Sequence, residues 1–257
     1  MRGKYFNLEL KPDLVHGDIS KLIASDKTDA PFTSGDILFD WHVIQVPKGS
    51  FSLESITVYM VGEDGGAQAS KDIYFVFAKS LNGVAPSTLG EENAVQTSCF
   101  ELPLHLIGAA KVEATTAGNL VGPAFGGIYH SSAAGSQGVP LPLVMTPEPY
   151  EGSNVGYNKV YVAAFAGGTF DFSTGVLSTG DIVSGAGAGI AVDTVDARKS
   201  FQKGDYVYVH DVDTICGIVS RVSAGTITLE GNNGVAISNN DEIMNATPIK
   251  CIFGISQ

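Results

Sequence analysis

Apolar and polar residues alternate with a period of two along much of this 257-residue chain, which predicts β-strands. Near the start, residues 5–10 place Phe6, Leu8 and Leu10 on one face. Turn-forming residues separate several of the later segments, as in the Pro-Lys-Gly sequence at 47–49. The strongest strand predictions in the first two thirds of the chain are residues 38–46, 51–61, 72–79, 99–107 and 159–166.

Two of these segments are apolar at nearly every position. They are residues 72–78 (DIYFVFA) and residues 160–165 (VYVAAF). A strand with two apolar faces is expected to be covered on both sides, either by a second layer of its own domain or by another subunit. The sequence therefore predicts a jelly-roll-like β-sandwich over residues 38–167.

The last part of the chain has shorter strands that are separated by Gly, Asn and Asp turns. In residues 206–209, two valines alternate with Tyr206 and Tyr208, so the two tyrosines share one face. Ala224-Gly225 lies between two apolar segments at the spacing of a tight hairpin. This pattern is typical of a small β-barrel.

A linker with one weak strand is predicted between the two parts, over residues 168–187, because this segment is rich in Gly, Ser and Thr. The Gly-Ala-Gly-Ala-Gly sequence at 185–189 lacks the spacing of a dinucleotide-binding loop and precedes no helical pattern, so it is interpreted as flexible. We therefore predict an all-β chain, with the sandwich followed by a small C-terminal β-barrel over residues 188–257.

Two segments lie outside this scheme of strands. Residues 1–37 are predicted to form an N-terminal arm, in which Asp18 is placed to cap a short helix. Residues 113–157 are rich in Gly, Ala, Ser and Pro and are long for a loop in a compact domain. Two interpretations of this loop are open: an ordered, extended arm that lies over a neighbouring molecule, or a disordered insertion.

The composition favours extensive contacts between subunits. Charged residues make up 16% of the chain, and 31 residues are glycine, whereas average globular chains have about 25% charged residues and ~7% glycine. A β-rich protein that buries surface against copies of itself has this composition, and so does a monomer with many turns. The net charge is −12, without a cluster of Lys or Arg, so nucleic acid and anionic membranes are not expected as partners.

Neither a signal peptide nor a membrane-spanning segment is predicted, because no apolar run is long enough. We expect a soluble protein that is made in the cytoplasm. Cys99, Cys216 and Cys251 have neither disulfide nor metal-site spacing. Cys216 and Cys251 lie in apolar strand contexts and are predicted to be small buried apolar side chains and not reactive thiols.

One segment resembles a nucleophile motif. Residues 134–138 (AGSQG) nearly match the Gly-x-Ser-x-Gly turn of serine hydrolases. The first glycine is missing, and Val139-Pro140 follows in place of a helix. Ser136 is therefore not predicted to be a nucleophile.

No metal site or acid–base pair is predicted. Glu91 and Glu92 are expected to form a solvated turn. His210, Asp211 and Asp213 lie together but do not complete a calcium-loop pattern, so we expect them to make local hydrogen bonds in a turn. The histidines have no partner at the spacing of a helical zinc pair: His16, His42, His105, His130 and His210.

Tyr206 and Tyr208 are the aromatic pair that suggests ligand binding. Three interpretations are open: they stack on sugar rings, they face a subunit contact, where tyrosine is enriched, or they pack beneath a hairpin. No basic residues accompany them, so stacking on nucleic-acid bases is not expected.

Three segments resemble structural proteins of large tailed bacteriophages. Residues 39–65 (FDWHVIQVPKGSFSLESITVYMVGEDG) and residues 72–94 (DIYFVFAKSLNGVAPSTLGEENA) look like parts of virion proteins. The pattern from KGDYVYVHDVD at residue 203 to NNDEI at residue 243 is similar to small barrels appended to phage head and tail proteins. The resemblance implies roles in capsid decoration, head completion or the tail, without catalysis, and no functional residue is carried over.

The sequence thus predicts a non-catalytic virion protein, made in the host cytoplasm, that decorates the capsid and stabilises the shell through subunit contacts. Its expected partners are the major capsid protein or other virion proteins, and further copies of itself, with a trimer favoured. No cofactor, nucleic acid or membrane is expected. One alternative is a tail, baseplate or fibre component that binds a receptor or a glycan. Another is an all-β enzyme acting on polysaccharides, for which the sequence shows no candidate set of residues.

Overall fold

The described part of the chain is almost entirely antiparallel β-structure, which confirms the prediction of an all-β protein. Its long strands occur where apolar alternation or continuous apolar runs predict them. The structure is a computed structural model, and it describes residues 4–12, 14, 31–60, 71–114, 117–118, 127–131, 141–143, 158–170, 172, 176–193, 196–212 and 214–257.

Sixteen strands and one short α-helix occur among these residues. The helix is α1 (Leu102–His105). The strands are β1 (Tyr5–Leu10), β2 (Ile37–Gln45), β3 (Phe51–Met60), β4 (Ile73–Ala78), β5 (Leu106–Val112), β6 (Ala117–Gly118), β7 (Gly127–Ser131), β8 (Leu141–Leu143), β9 (Lys159–Ala166), β10 (Val176–Leu177), β11 (Gly189–Ala191), β12 (Tyr206–Val209), β13 (Thr214–Ser223), β14 (Thr226–Leu229), β15 (Glu242–Asn245) and β16 (Ile249–Ser256).

Three sheets contain these strands. Sheet I has the order β1-β16-β3-β7-β6, with β8 also paired to β3. Sheet II has the order β2-β9-β4-β5, and sheet III has the order β10-β15-β12-β13-β14-β11. All of the strand pairs are antiparallel.

Sheets I and II pack face to face around one large core. The rings of Phe75 and Phe77 in β4 each lie 5.8 Å, between centroids, from the ring of Phe253 in β16, in edge-to-face contacts. Both β4 rings are 1% exposed. Edge-to-face pairs are a favoured aromatic geometry. The predicted sandwich therefore has its core between these two sheets.

Sheet III curls around a second, smaller core. Val207 and Val209 of β12 and Ile227 of β14 are buried there. The predicted tight hairpin is present, because β13 and β14 are joined through the two residues 224–225. A curled sheet with its own core agrees with the barrel-like unit predicted for this part of the chain.

One tyrosine of sheet III lies in the larger core. Tyr208 of β12 is 2% exposed and packs in the sandwich core, which also includes Met244 and Ala246. Its neighbours Val207 and Val209 point to the other side of the strand, into the core of sheet III. Strand β12 thus has two buried faces, and it lies between the two cores.

The last strand belongs to the sandwich and not to the barrel. Residues 188–257 were predicted to form the barrel, but β16 pairs with β1 on one side and with β3 on the other. Cys251, Phe253 and Ile255 are buried because β16 packs against sheet II. The predicted N-terminal arm, residues 1–37, likewise contains a strand of sheet I. How independently the two parts of the chain fold stays a prediction.

Part of the predicted linker, residues 168–187, also joins sheet III. Strand β10 pairs with β15, and Ile182 forms a bridge with Ile237. The Gly185 N–H donates to the Asn233 carbonyl oxygen at 2.9 Å, and the Asn233 N–H donates to the Gly187 carbonyl oxygen at 2.8 Å. The interpretation of residues 185–189 as a flexible segment is therefore wrong, because backbone hydrogen bonds fix them to the rest of sheet III.

The predicted strand over residues 99–107 is not present as one element. Cys99 has a φ of 59°, in the left-handed region, which ends an extended backbone. Pro103 follows in the first turn of α1, where its fixed φ is favourable. Strand β5 begins only at Leu106. The apolar alternation of this segment reflects a turn, a short helix and a strand in succession.

Several predictions fall outside the described residues. These are the helix capped by Asp18 and most of the loop 113–157, of which the structure gives the backbone of β6, β7 and β8. Within the described ranges, no helix has the length and the apolar character needed to cross a membrane.

Candidate interaction surface

The described residues form no cluster that fits metal chemistry. No group of three His, Cys, Asp or Glu side chains among them is arranged to hold a metal ion. His210 Nδ1 lies 3.7 Å from Glu242 Oε2, and the Asp211 carboxylate accepts a 2.9 Å hydrogen bond from the Glu242 N–H. Asp211 therefore holds β15 in place instead of bonding only within its own turn. Asp213 and Ser136 lie outside the described residues.

Glu92 is not the solvated residue that the sequence predicts. Its side chain is nearly buried, whereas its neighbour Glu91 is exposed. The Glu92 carboxylate accepts a 3.4 Å hydrogen bond from the Asp40 N–H of β2. The two glutamates therefore differ in role, and Glu92 helps to attach the segment after β4 to sheet II.

The two tyrosines of β12 do not form a platform for a sugar ring. Tyr206 is partly exposed, but Tyr208 is covered by the sandwich core. A ring can stack only on an aromatic face that solvent reaches, so the pair cannot act together. Of the three interpretations left open by the sequence, packing beneath other elements applies to Tyr208.

The three cysteines are free thiols, and all are buried, which confirms the prediction for Cys216 and Cys251. Burial raises the pKa of Cys216 to about 12. Burial also raises the pKa of Cys251 and of Cys99. Because the thiolate is the reactive form, these thiols are inert near neutral pH. They act as small apolar side chains in the cores.

An exposed apolar surface lies on the outer side of sheet II. Phe100 is 91% exposed and Leu104 is 69% exposed, and they lie four residues apart around the start of α1. Val43 of β2, Tyr74 of β4 and Leu106 of β5 are also exposed. We call these five side chains the apolar face. Large apolar side chains that stay exposed on one side of a sheet are candidates for an interaction site.

A small cluster of buried residues holds the segment that carries Phe100. This segment, residues 79–101, is the β4–α1 loop. Its Leu89 and Cys99 pack against Ile37 of β2 and Ala163 of β9. Ala163 lies between two residues that face the sandwich core, so it points to the opposite side of sheet II. The β4–α1 loop therefore covers part of the outer surface of this sheet.

Two residues of β2 fix the middle of the β4–α1 loop. The Asp40 carboxylate accepts a 2.6 Å hydrogen bond from Thr88 Oγ1 and a 3.2 Å hydrogen bond from the Leu89 N–H. Trp41 Nε1–H donates to the Ser87 carbonyl oxygen at 2.9 Å. Three consecutive residues of the loop are thus bonded to one strand of sheet II.

Glu101 connects the end of the β4–α1 loop to its middle. Its Oε1 accepts a hydrogen bond of 3.1 Å from the Ser87 N–H and another from the Ser87 hydroxyl. These hydrogen bonds to the charged form lower the pKa of Glu101 to about 2. At the other end of α1, His105 Nδ1 lies 2.8 Å from the Lys79 carbonyl oxygen. The helix is therefore held at both ends.

The backbone at Cys99 sets the direction of Phe100. A left-handed φ is uncommon for residues other than glycine, and it persists only where the surroundings hold it. The buried side chain of Cys99 supplies that hold, and the next residue is turned to the surface. Asn82 and Asn93, in the same loop, also have positive φ angles, of 50° and 53°.

Comparisons with known proteins do not assign a family. No protein-family model matches the chain, and no curated protein matches it. Among solved structures, the comparison gives the crystal structure of a viral major capsid protein, the STIV MCP, at 12% sequence identity. The alignment covers 99% of this chain and 97% of that chain, with a TM-score of 0.19. A TM-score this low establishes neither a shared fold nor a shared function.

The sequence pattern did not reveal the apolar face. Phe100 and Leu104 are among the apolar residues that alternate along the predicted strand 99–107. One signal was present: Pro103, two residues after Glu101, favours the first turn of a helix over the middle of a strand.

Proposed function

We propose that this chain is a non-catalytic structural protein of a virion, which decorates the outside of the capsid and stabilises it by burying the apolar face. The observation that supports the proposal is that Phe100, on a loop held by Asp40 and Glu101, and Leu104, in the helix that follows it, are exposed. Large apolar side chains held in water at fixed positions do not stabilise the free chain. They favour binding, because a preorganised surface loses less conformational entropy when a partner covers it.

Other features of the molecule suit a structural role. The described cysteines are inert, and Asp40, Glu92, Glu101 and Asp211 hold backbone segments in place. In this proposal the partners are the major capsid protein and further copies of the chain. A trimer would match a threefold axis of a shell. Repetition of one modest contact over a symmetric particle multiplies its effect.

The test is the amount of this protein in purified particles, measured by quantitative mass spectrometry against the major capsid protein. We expect a high and constant ratio, and labelling of the chain by antibody on intact particles. A few copies per particle would move the proposal to the tail or baseplate. Particles that contain none of the chain would overturn it.

A further inference from the structure

We propose that Asn82 is a site of spontaneous deamidation in the folded protein, and that the fold protects Asn233 from the same reaction. The two residues begin identical tetrapeptides, Asn-Gly-Val-Ala, at residues 82–85 and 233–236. They are the two asparagines of the chain that are followed by glycine. The modification does not depend on the proposed function, because its co-reactant is water.

The reaction joins the asparagine side chain to the backbone of the next residue. The Gly83 nitrogen attacks Asn82 Cγ, the Cγ–Nδ2 bond breaks, and ammonia leaves with the proton of the attacking N–H. Water then opens the resulting succinimide ring. Opening at Cγ gives aspartate, and opening at the backbone carbonyl carbon of Asn82 gives isoaspartate, so both products carry a new carboxylate. Glycine in the second position favours the attack, because it has no Cβ to hinder the approach.

Asn82 lies at the tip of an exposed hairpin turn. The Leu81 N–H donates to the Val84 carbonyl oxygen at 2.9 Å, and the Val84 N–H donates to the Leu81 carbonyl oxygen at 2.8 Å. Asn82 and Gly83 have positive φ angles, of 50° and 78°, as a type I′ turn requires. Residues 82–85 are all exposed. Water therefore reaches the Asn82 carboxamide, and transient opening of such an exposed turn, which lets the Gly83 nitrogen approach Cγ, costs little free energy.

The fold holds the second asparagine differently. Asn233 is 2% exposed, and its Nδ2 donates to the carbonyl oxygens of Val183 and Val235, at 3.1 Å and 2.6 Å. The attacking atom would be the Gly234 nitrogen, whose N–H donates to the Cys216 carbonyl oxygen of β13 at 2.9 Å. Both reacting groups are therefore engaged in hydrogen bonds that the attack has to break. Deamidation at this position requires part of sheet III to open first.

Conversion of Asn82 changes the charge and the backbone of the β4–α1 loop. Each product adds a negative charge to a chain whose net charge is −12. Aspartate visits the left-handed region as asparagine does, so it should keep the turn. Isoaspartate inserts a methylene group into the main chain, and the two hydrogen bonds between Leu81 and Val84 cannot then both keep their geometry. Residues 81–84 belong to neither of the two large cores, so the converted chain should stay folded.

The experiment incubates the purified full-length chain at mildly alkaline pH, both native and unfolded in urea. Peptide mapping by mass spectrometry follows the two asparagines, and fragmentation distinguishes aspartate from isoaspartate. In the native chain we expect Asn82 to convert at least about 10-fold faster than Asn233, because an exposed turn opens more easily than a buried segment. In urea the two should convert at similar rates, because their tetrapeptides are identical.

Asn82→Gln is the control variant. It keeps a carboxamide, but its longer side chain would have to close a larger ring, so the acidic product of the native chain should disappear. The rate at Asn233 should not change. An undiminished acidic product in this variant would show that another residue is its source, and the assignment to Asn82 would fail.

The native and unfolded chains together decide the role of the fold. Equal conversion of the two asparagines in the native chain would overturn the protection of Asn233. If Asn82 converts in urea but stays intact in the native chain, the hairpin turn protects it and the modification site is overturned. If Asn82 stays intact in urea as well, the chemistry itself is excluded. The copy number of the chain in particles tests the proposed function separately.

Discussion

The Lys11 ammonium forms an ion pair with the Asp205 carboxylate, whose side chain has no exposed surface. Lys11 follows β1 of sheet I, and Asp205 precedes β12 of sheet III, so the pair connects the two sheets. Asp205 also accepts hydrogen bonds of 2.7 Å from the Gln202 N–H and from Asn245 Nδ2. The buried carboxylate is thus satisfied entirely by protein groups, which is the condition for burying a charge at tolerable cost.

Replacement of Lys11 by Met is expected to destabilise the protein by about 3–5 kcal/mol, because it leaves a buried carboxylate without its counter-charge. Urea unfolding at neutral pH measures the change. The double variant Lys11→Met/Asp205→Asn is the control, and it should recover part of the loss because the uncompensated charge is gone. A single variant as stable as wild type would show that the ion pair does not hold the sheets together.

The cost of losing Lys11 should depend on pH. Burial raises the pKa of Asp205, and Lys11 opposes that rise. A raised pKa means that the folded state binds the proton more tightly than the unfolded state does. The contribution of Asp205 to the free energy of unfolding therefore falls as the pH increases through its folded-state pKa. Without Lys11 the pKa rises further, so Lys11→Met should be less destabilising at about pH 5 than at about pH 7. An equal cost at both pH values would contradict this account.

Phe75→Ala and Phe77→Ala should each cost about 3–5 kcal/mol, because each removes a buried ring that contacts Phe253. Phe100→Ala is the matched control, since it deletes the same side chain from an exposed position. Its effect on the free energy of unfolding should lie within about 0.5 kcal/mol. Thermal melts that rank the exposed variant with the two buried ones would disprove the placement of β4.

Asp40→Ala should loosen the β4–α1 loop without unfolding the sandwich. The variant removes the hydrogen bonds to Thr88 and to the Leu89 N–H, so amide hydrogen exchange should accelerate at Leu89 and not in β9. Asp181→Ala removes a similar bond, of 2.9 Å, from the Asn239 N–H beside sheet III. That control should leave exchange in the β4–α1 loop unchanged. Unchanged exchange in Asp40→Ala would show that other contacts fix the loop.

A cut in the backbone between Gly185 and Ala186 should not separate the two parts of the chain. This turn is exposed, so an inserted protease site would be accessible. After cleavage, the fragments should elute together in size-exclusion chromatography, because β16 stays paired with β1 and β3. They should separate only in urea. Separate elution under native conditions would favour the two independent domains that the sequence predicts.

A strand is easier to predict when the interactions that form it leave a pattern in neighbouring residues of the sequence. The limits of β3 and β9 agree with the sequence to within one residue, because burial in the core leaves its pattern in consecutive positions. The position of β16 between β1 and β3 leaves no such local pattern. Ile252 pairs with Glu9 on one side and with Thr57 on the other, and a single sequence does not show which distant strands meet.

The exposure of the apolar face has the same origin. Phe100 and Leu104 are residue types that normally occupy a core. Here the inner positions are taken by Leu89 and Cys99, and Asp40 of a distant strand fixes the loop that presents the remaining side chains. Exposure thus follows from competition between apolar residues for a limited buried volume, and composition alone does not determine which of them is left outside.

Because β16 lies between β1 and β3, sheet I can be completed only after β16 has been synthesised. The strand partner of Tyr5 is Ser256, so β1 has no partner strand in sheet I until β16 has been translated. Contacts between such distant residues form slowly. A nascent chain that stops before residue 249 lacks the strand between β1 and β3 and cannot close the sandwich. Sheet I can therefore form with β1 in place only after residues 249–256 have been synthesised.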